Sequence, residues 1–144
     1  MQNVTVLGAG GWGTALAVHL GRIGHEVTLW ARDPGLVAEI ASRRANAVYL
    51  PDISLPDSVA VTASLAEALG NSELVVSALP SHGCRAVMRL AAPHIRQRAT
   101  IVSATKGLET DTLLRMSEVI AQELGPERRV VVLSGPSFAV EVAH

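Results

Sequence analysis

Short apolar runs alternate along this chain with longer stretches of helical periodicity. The runs are "NVTVLGA" (3–9), "HEVTLWA" (25–31), "VAVTAS" (59–64), "ELVVSALP" (73–80), "ATIVSAT" (99–105) and "RRVVVLS" (128–134). Valine-rich runs of this length suit strands of a parallel sheet that is covered on both faces. Between them, "GTALAVHLGRIG" (13–24) predicts a small-residue helix stopped by Gly24. Asp33 and Pro34 supply an N-cap and a first-turn proline for a helix over 34–44. Ser64 and Glu67 have capping-box spacing for a brief helix through Leu69. A helix from Ser81 to Ala92 stops before Pro93, another covers "DTLLRMSEVIAQEL" (111–124), and a last one starts near Phe138. "ANAVYLPDISLPDS" (45–58) holds two prolines and no clear period, and reads as a loop. Strands alternating with helices imply right-handed crossovers and a doubly wound parallel α/β sheet.

Composition narrows the class. At 144 residues the chain has the length of one domain. With 49% apolar but only 3% aromatic residues, its core must be built from Val, Leu, Ile and Ala. A formal charge of -1 argues against nucleic acid or an anionic membrane as the main partner, because both need a basic surface. Cys84 is the only cysteine, so no internal disulfide forms and a reducing compartment is expected. The opening "VTVLGA" resembles neither a signal peptide nor a membrane span, and the expectation is a cytoplasmic protein. At the other end, "SGPSFAVEVAH" breaks off as an apolar pattern restarts, which points to a piece of a longer protein.

The first strand runs into Gly8-Ala9-Gly10-Gly11-Trp12-Gly13, in which Gly8, Gly10 and Gly13 keep the G-x-G-x-x-G spacing. The pattern gains weight from its place between a predicted strand and a predicted helix. Gly8 allows the tight turn, Gly10 lets a pyrophosphate approach the backbone, and Gly13 lets helix and strand pack closely. The helix N-terminus adds free N–H groups and a favourable dipole. The alternatives are a ligand-free tight turn and a methyltransferase-type nucleotide loop. After the second strand comes Ala31-Arg32-Asp33. Ala31 reads neither ribose hydroxyl nor phosphate, while Arg32 can pair with a 2′-phosphate and lie on adenine. Asp33 is committed to capping the next helix. The pattern favours NADP(H) with NAD(H) tolerated; the alternative for Arg32 is a solvated surface arginine.

Of the 12 basic Lys and Arg residues only Lys106 is lysine, and it follows the fifth strand in "TKG". Ligands of open parallel sheets bind outside the carboxyl ends of the strands, so Lys106 stands at the correct edge to face cofactor and substrate. Its ammonium can hold an anionic or hydroxyl-bearing substrate and stabilise oxygen charge during hydride transfer. The alternative is a loop lysine paired with Glu109. Gly135, Pro136 and Ser137 turn at the same edge, where backbone N–H groups and a hydroxyl can hold small polar groups, unless this is a plain turn before a helix. His82, just after the fourth strand, is a further candidate at that edge. His19 and His25 fit packed or solvated positions, His94 and His144 suggest nothing, and Cys84 fits a small buried residue better than a nucleophile. No cluster has metal-site spacing.

"GAGGWGTALA", "ATKGLE" and "SGPSFA", in this order and with "YLPDISLP" between the second and third strands, resemble the bacterial-type NAD(P)-dependent glycerol-3-phosphate dehydrogenases over the whole chain. The resemblance implies a Rossmann-type cofactor domain over 1–144. It implies an enzyme interconverting dihydroxyacetone phosphate and sn-glycerol 3-phosphate for glycerophospholipid synthesis. It implies cofactor contacts at Gly11, Trp12, Arg32, Asp33 and Ala139, contacts from Lys106 to both cofactor and substrate, and substrate contacts at Gly135 and Ser137. It also allows a homodimer. The family often has serine where Gly11 stands, so only the backbone can serve there. In the family a helical second domain carries the lysine that acts as general acid/base; this chain has no second lysine, so the catalytic set is incomplete here and the chain alone is expected to be inactive. Two other readings remain: a stand-alone, non-catalytic dinucleotide-binding module, and a related hydroxy-acid dehydrogenase, against which the "ATKGLE" and "SGPSFA" pair argues.

Overall fold

The computed structural model describes residues 1–144. Along the chain, β1 (Asn3–Leu7) leads to α1 (Gly11–Arg22), β2 (Glu26–Trp30) to α2 (Pro34–Arg43), and a short pair, β3 (Ala45–Asn46) and β4 (Leu50–Ser54), follows. Then come β5 (Val59–Thr62), α3 (Leu65–Leu69), β6 (Leu74–Ser77), α4 (Ser81–Ala91), β7 (Thr100–Ser103), α5 (Met116–Leu124), β8 (Val130–Val132) and α6 (Ala139–Ala143). Six strands form one sheet in the order β5-β2-β1-β6-β7-β8. Every pair in it is parallel. The chain thus starts in the middle, winds outward one way, and returns to wind the other way. The change of direction lies between β1 and β6, the place where such sheets open a crevice for ligands.

Side-chain alternation along the strands feeds two cores, one per face. Val4, Val6, Val27, Leu29 and Val76 join Ala15, Leu16 and Val18 of α1 on one face. Leu7, Trp30, Val75 and Ile101 join Val87 and Met88 of α4 and Val119 and Ile120 of α5 on the other. Burying each such aliphatic side chain contributes about 1.5–3 kcal/mol relative to leaving it exposed. Small residues four apart, Gly13, Ala17 and Gly21, let α1 approach the sheet closely: Ala17 is fully buried, and a Cβ on Gly21 would lie 2.8 Å from Val59 Cγ2. α6 packs against α1, and Arg22 donates to the Ala143 carbonyl. No helix is long and apolar enough to cross a membrane.

The local stop and start signals behave as expected at several points. Asp33 caps α2 by accepting from the Gly35 N–H at 2.8 Å, with Pro34 at the start of the helix. Ser64 caps α3 by accepting from Glu67 N–H at 3.2 Å. Gly24, at φ +96°, follows the end of α1.

Two expectations are corrected. Residues 45–58 are not a plain loop: β3 and β4 pair antiparallel, with a register irregularity between Ala45 and Asn46. Leu50, Ile53 and Leu55 are all buried. Asp52 at φ +67° puts Leu50 and Ile53, three apart, on the inside together, which hides the two-residue period of a strand. The helix expected over 111–124 begins only at Met116. Ahead of it a turn is closed by Glu109 N–H to the Leu114 carbonyl and by Leu113 N–H to the Glu109 carbonyl, with Leu113 at φ +59°. The Glu118 carboxylate, accepting from Arg115 N–H at 3.0 Å, then starts α5. As expected, α4 stops before Pro93, ending at Ala91; a separate 3-10 turn over Ala92–His94 follows, with Pro93 in its first turn, where no N–H is needed.

Candidate functional site

All six parallel strands end at one edge of the sheet, and the turns after β1, β2, β6 and β7 open there onto a cleft of about 830 Å³. Gly8, Gly10, Gly11, Trp12, Gly13, Arg32, Asp33, Lys106, Ser137 and Ala139 line it. Of the residues singled out from the sequence for cofactor or substrate, only Gly135 is absent from that lining; it sits at φ +145° in the turn before α6, its carbonyl accepting from the Ser137 hydroxyl at 3.5 Å. His82 lines the cleft and is exposed. His19, His25, His94 and His144 do not line it.

The glycine turn is shaped by backbone contact. Gly8 has φ +110°, and a Cβ there would lie 2.6 Å from the Ala78 carbonyl oxygen after β6. A Cβ on Gly13 would lie 1.8 Å from the Gly8 carbonyl oxygen. These two glycines bring β1, β6 and α1 together at the switch of winding direction. Gly10 differs: nothing lies within 4 Å of its Cβ position, so its open side faces space. It is the N-cap of α1, and no side chain caps the helix. The first-turn N–H groups have no partner inside the helix, and their partial positive charge is available to an anion.

The cations of the cleft stand on its two flanks. Arg32 is exposed at the end of β2 and forms no ion pair. Lys106 Nζ lies 5.4 Å from the centroid of the Trp12 ring and donates to the Ser137 hydroxyl at 3.3 Å. The alternative that Lys106 pairs with Glu109 is overturned, because Glu109 is held by Arg85 through bonds of 2.6 and 2.8 Å. Arg85 also reaches Glu123 at 2.7 Å. The ammonium of Lys106 therefore faces the cleft without a carboxylate partner. The Thr105 hydroxyl meets that of Ser77 at 2.9 Å, joining the ends of β7 and β6 directly before Lys106.

The Arg85 guanidinium, with help from the Thr112 hydroxyl, holds the Glu109 carboxyl down to about 2. A carboxyl lowered in the folded state adds stability that is present above its unfolded value, about 4.3, and is lost as pH falls towards the folded one. Wild-type thermal stability should therefore drop more steeply than that of Glu109→Gln as pH falls below about 4.3, where the unfolded carboxyl begins to titrate. Melting curves of both proteins across that range check this; parallel curves would show that the pair adds nothing. Cys84 is fully buried, and burial pushes its thiol up, so it stays protonated near neutral pH.

Several cleft residues escaped the sequence reading. Trp30, Leu36 and Leu79 give the cleft an apolar part beside Arg32. Trp30 is fixed by its indole N–H, which donates to the Ala63 carbonyl at 3.0 Å. Tyr49 reaches the cleft from the segment expected to be loop. Apolar positions at strand ends were legible as core, but which of them border a crevice depends on strand order. An apolar part flanked by a free arginine, a free helix N-terminus, and a lysine across from it fit a molecule with an aromatic end, a central diphosphate and a reactive end.

Known proteins agree with this description. Residues 3–144 match the family described as NAD-dependent glycerol-3-phosphate dehydrogenase N-terminus. The chain is 49% identical over 146 residues to the NAD(P)+ glycerol-3-phosphate dehydrogenase of Koribacter versatilis, covering 99% of this chain and 43% of that protein. It is 49% identical over 143 residues to that of a Thermoanaerobacter species, covering 99% and 42%. The crystal structure of glycerol-3-phosphate dehydrogenase from Coxiella burnetii superposes with a TM-score of 0.91 at 34% identity, covering 99% of this chain and 43% of that one. The enzyme from Saccharomyces cerevisiae gives 0.84 at 28%, covering 99% and 44%. The chain thus spans less than half the length of these relatives. A six-stranded sheet wound both ways from β1, a glycine turn with a free helix end, and a match over residues 3–144 together mean that this chain belongs to the NAD-dependent glycerol-3-phosphate dehydrogenase family, corresponding to its N-terminal domain.

Proposed function

We propose that the chain is the cofactor-holding part of an oxidoreductase that interconverts sn-glycerol 3-phosphate and dihydroxyacetone phosphate, preferring NADP(H) to NAD(H). The observation that carries this reading is the uncapped N-terminus of α1 beneath Gly10, which is open to the cleft between Arg32 and Lys106. In this reading the N–H groups at Gly10, Gly11 and Trp12 hold the pyrophosphate, while Gly8 and Gly13 keep the turn close to β6 and α1. Arg32 meets the 2′-phosphate, Asp33 orients the turn after β2 through its cap on α2, and Ala139 borders the cofactor from α6. The adenine end takes the apolar part beside Trp30 and Leu36.

The dinucleotide, when bound, supplies or accepts the hydride at C2 of the triose phosphate. The chain's own residues bind and orient around that exchange. Lys106 places its ammonium between cofactor and substrate and stabilises negative charge on the C2 oxygen. Gly135 and Ser137 hold the substrate beside it. The Lys106–Ser137 contact of 3.3 Å supports the pairing of these two turns. In this reading the proton is moved by a base from the part of the relatives that this chain does not span. On the same reading the protein works in the cytoplasm as a homodimer, and its product feeds glycerophospholipid synthesis.

Arg32→Ala tests the cofactor preference. A charge-assisted contact of about 1.5–3 kcal/mol corresponds to a loss of roughly tenfold or more in NADPH affinity. NADH affinity should change little. Fluorescence titration with both nucleotides, following Trp12 and Trp30, measures the split. Equal losses for both, or none, would remove the NADP(H) preference from the account.

A further inference from the structure

We propose that Asn46 is a positioning residue for the dinucleotide turn, acting from the β3–β4 pair through the Ala9 carbonyl. The inference rests on the dinucleotide reading above and adds a residue that touches no ligand. Asn46 is fully buried. Its side-chain amide donates to the Ala9 carbonyl at 2.9 Å and to the Thr14 hydroxyl at 2.8 Å. Its carbonyl oxygen accepts from Tyr49 N–H at 3.2 Å. These partners settle the orientation of the amide, because the reverse placement would set oxygen against the Ala9 carbonyl and an N–H against an N–H.

The consequence follows from peptide geometry. Ala9 and Gly10 share one planar trans peptide, in which C=O and N–H point in opposite directions. Drawing the Ala9 carbonyl towards Asn46 therefore turns the Gly10 N–H away from it. Thr14 N–H bonds the Gly10 carbonyl at 2.9 Å, the first bond of α1. One buried amide thus ties the turn to the first turn of the helix and sets how their N–H groups are presented. The same segment closes the turn from another side: the Tyr49 carbonyl oxygen lies 2.9 Å from where a Cβ on Gly11 would stand. Gly10 is left as the open position, because Gly8, Gly11 and Gly13 all have backbone close by.

A purely structural amide would support the fold and affect every ligand alike, so the test separates ligands by what they contain. Asn46→Asp keeps the size, and the Thr14 hydroxyl can still donate to it, but the donor to Ala9 is replaced by an oxygen. The chain and this variant are titrated with NADPH, with ADP, and with adenosine 2′-monophosphate, which lacks the diphosphate; thermal melts check that both are folded. The expected result is a loss of roughly tenfold or more for NADPH and ADP, with adenosine 2′-monophosphate affected less than about twofold. Parallel losses for all three, or no loss, overturn the inference. If Asn46→Asp does not fold, Thr14→Val removes the other partner and should give the same ligand split at smaller size; an absent split overturns the inference in that case too. Failure of the wild-type chain to bind NADPH or ADP is a separate outcome and overturns the dinucleotide reading itself.

Discussion

Gly13→Ala is expected to lower the melting temperature by roughly 10 °C and to abolish dinucleotide binding. The added methyl carbon would stand 1.8 Å from the Gly8 carbonyl oxygen and 3.0 Å from its carbonyl carbon. Both are backbone atoms, so no flexible side chain can move aside. Relief requires α1 to lift from β1, loosening the apolar cluster in which Val4 and Val6 are packed with residues of α1. Overpacking of a close-packed interior costs about 1–3 kcal/mol, with larger values where backbone must shift. Because the same lift displaces the helix N-terminus from the glycine turn, binding should fail even in the fraction that remains folded. Thermal melts and an NADPH titration on the same sample check both halves. A variant with wild-type melting temperature would mean that α1 does not pack against the turn as closely as described.

Gly10→Ala should have the opposite profile: stability kept, binding lost. Gly10 has φ -73° and ψ -177°, extended backbone that alanine adopts without strain, and nothing lies within 4 Å of the added carbon. Replacing glycine at such a site stabilises by about 0.4–1 kcal/mol, since the unfolded chain loses freedom. The same methyl group projects into the space assigned to the pyrophosphate. Displacing hydrogen bonds to a charged group costs about 1.5–3 kcal/mol, which corresponds to roughly ten- to hundredfold weaker binding of NADPH. Two alanine substitutions three positions apart are thus predicted to part company, one failing by fold and the other by ligand. If Gly10→Ala binds NADPH as the wild type does, the pyrophosphate is not held at this turn.

The sheet was legible because its information is local. Valine-rich runs mark the strands, while Asp33 and Ser64 mark helix starts whose hydrogen bonds span two or three residues. The glycine spacing marks the turn for the same reason. Positions decided by distant partners were not legible. Glu109 stands three residues from Lys106 in sequence, yet Arg85, 24 residues away, holds it. Asp111 and Thr112 look like a helix start, but Leu113 takes a left-handed backbone and the helix waits until Met116. Asn46 sits in a segment whose strand period is broken by Asp52 at φ +67°, and its link to Ala9 spans 37 residues. Local spacing located the turn and its lysine; long-range pairing decides how each is held.

The measurement that bears most directly on the central claim is a titration of the folded wild-type chain with NADPH, followed by tryptophan fluorescence. Trp12 lines the cleft beneath Lys106 and Trp30 lines its apolar part, so a ligand filling the cleft changes the surroundings of both indoles. The account predicts a saturable change fitting one site per chain, weaker with NADH and largely lost in Gly10→Ala. A folded chain showing no saturable response to either nucleotide, confirmed by calorimetry, would contradict it.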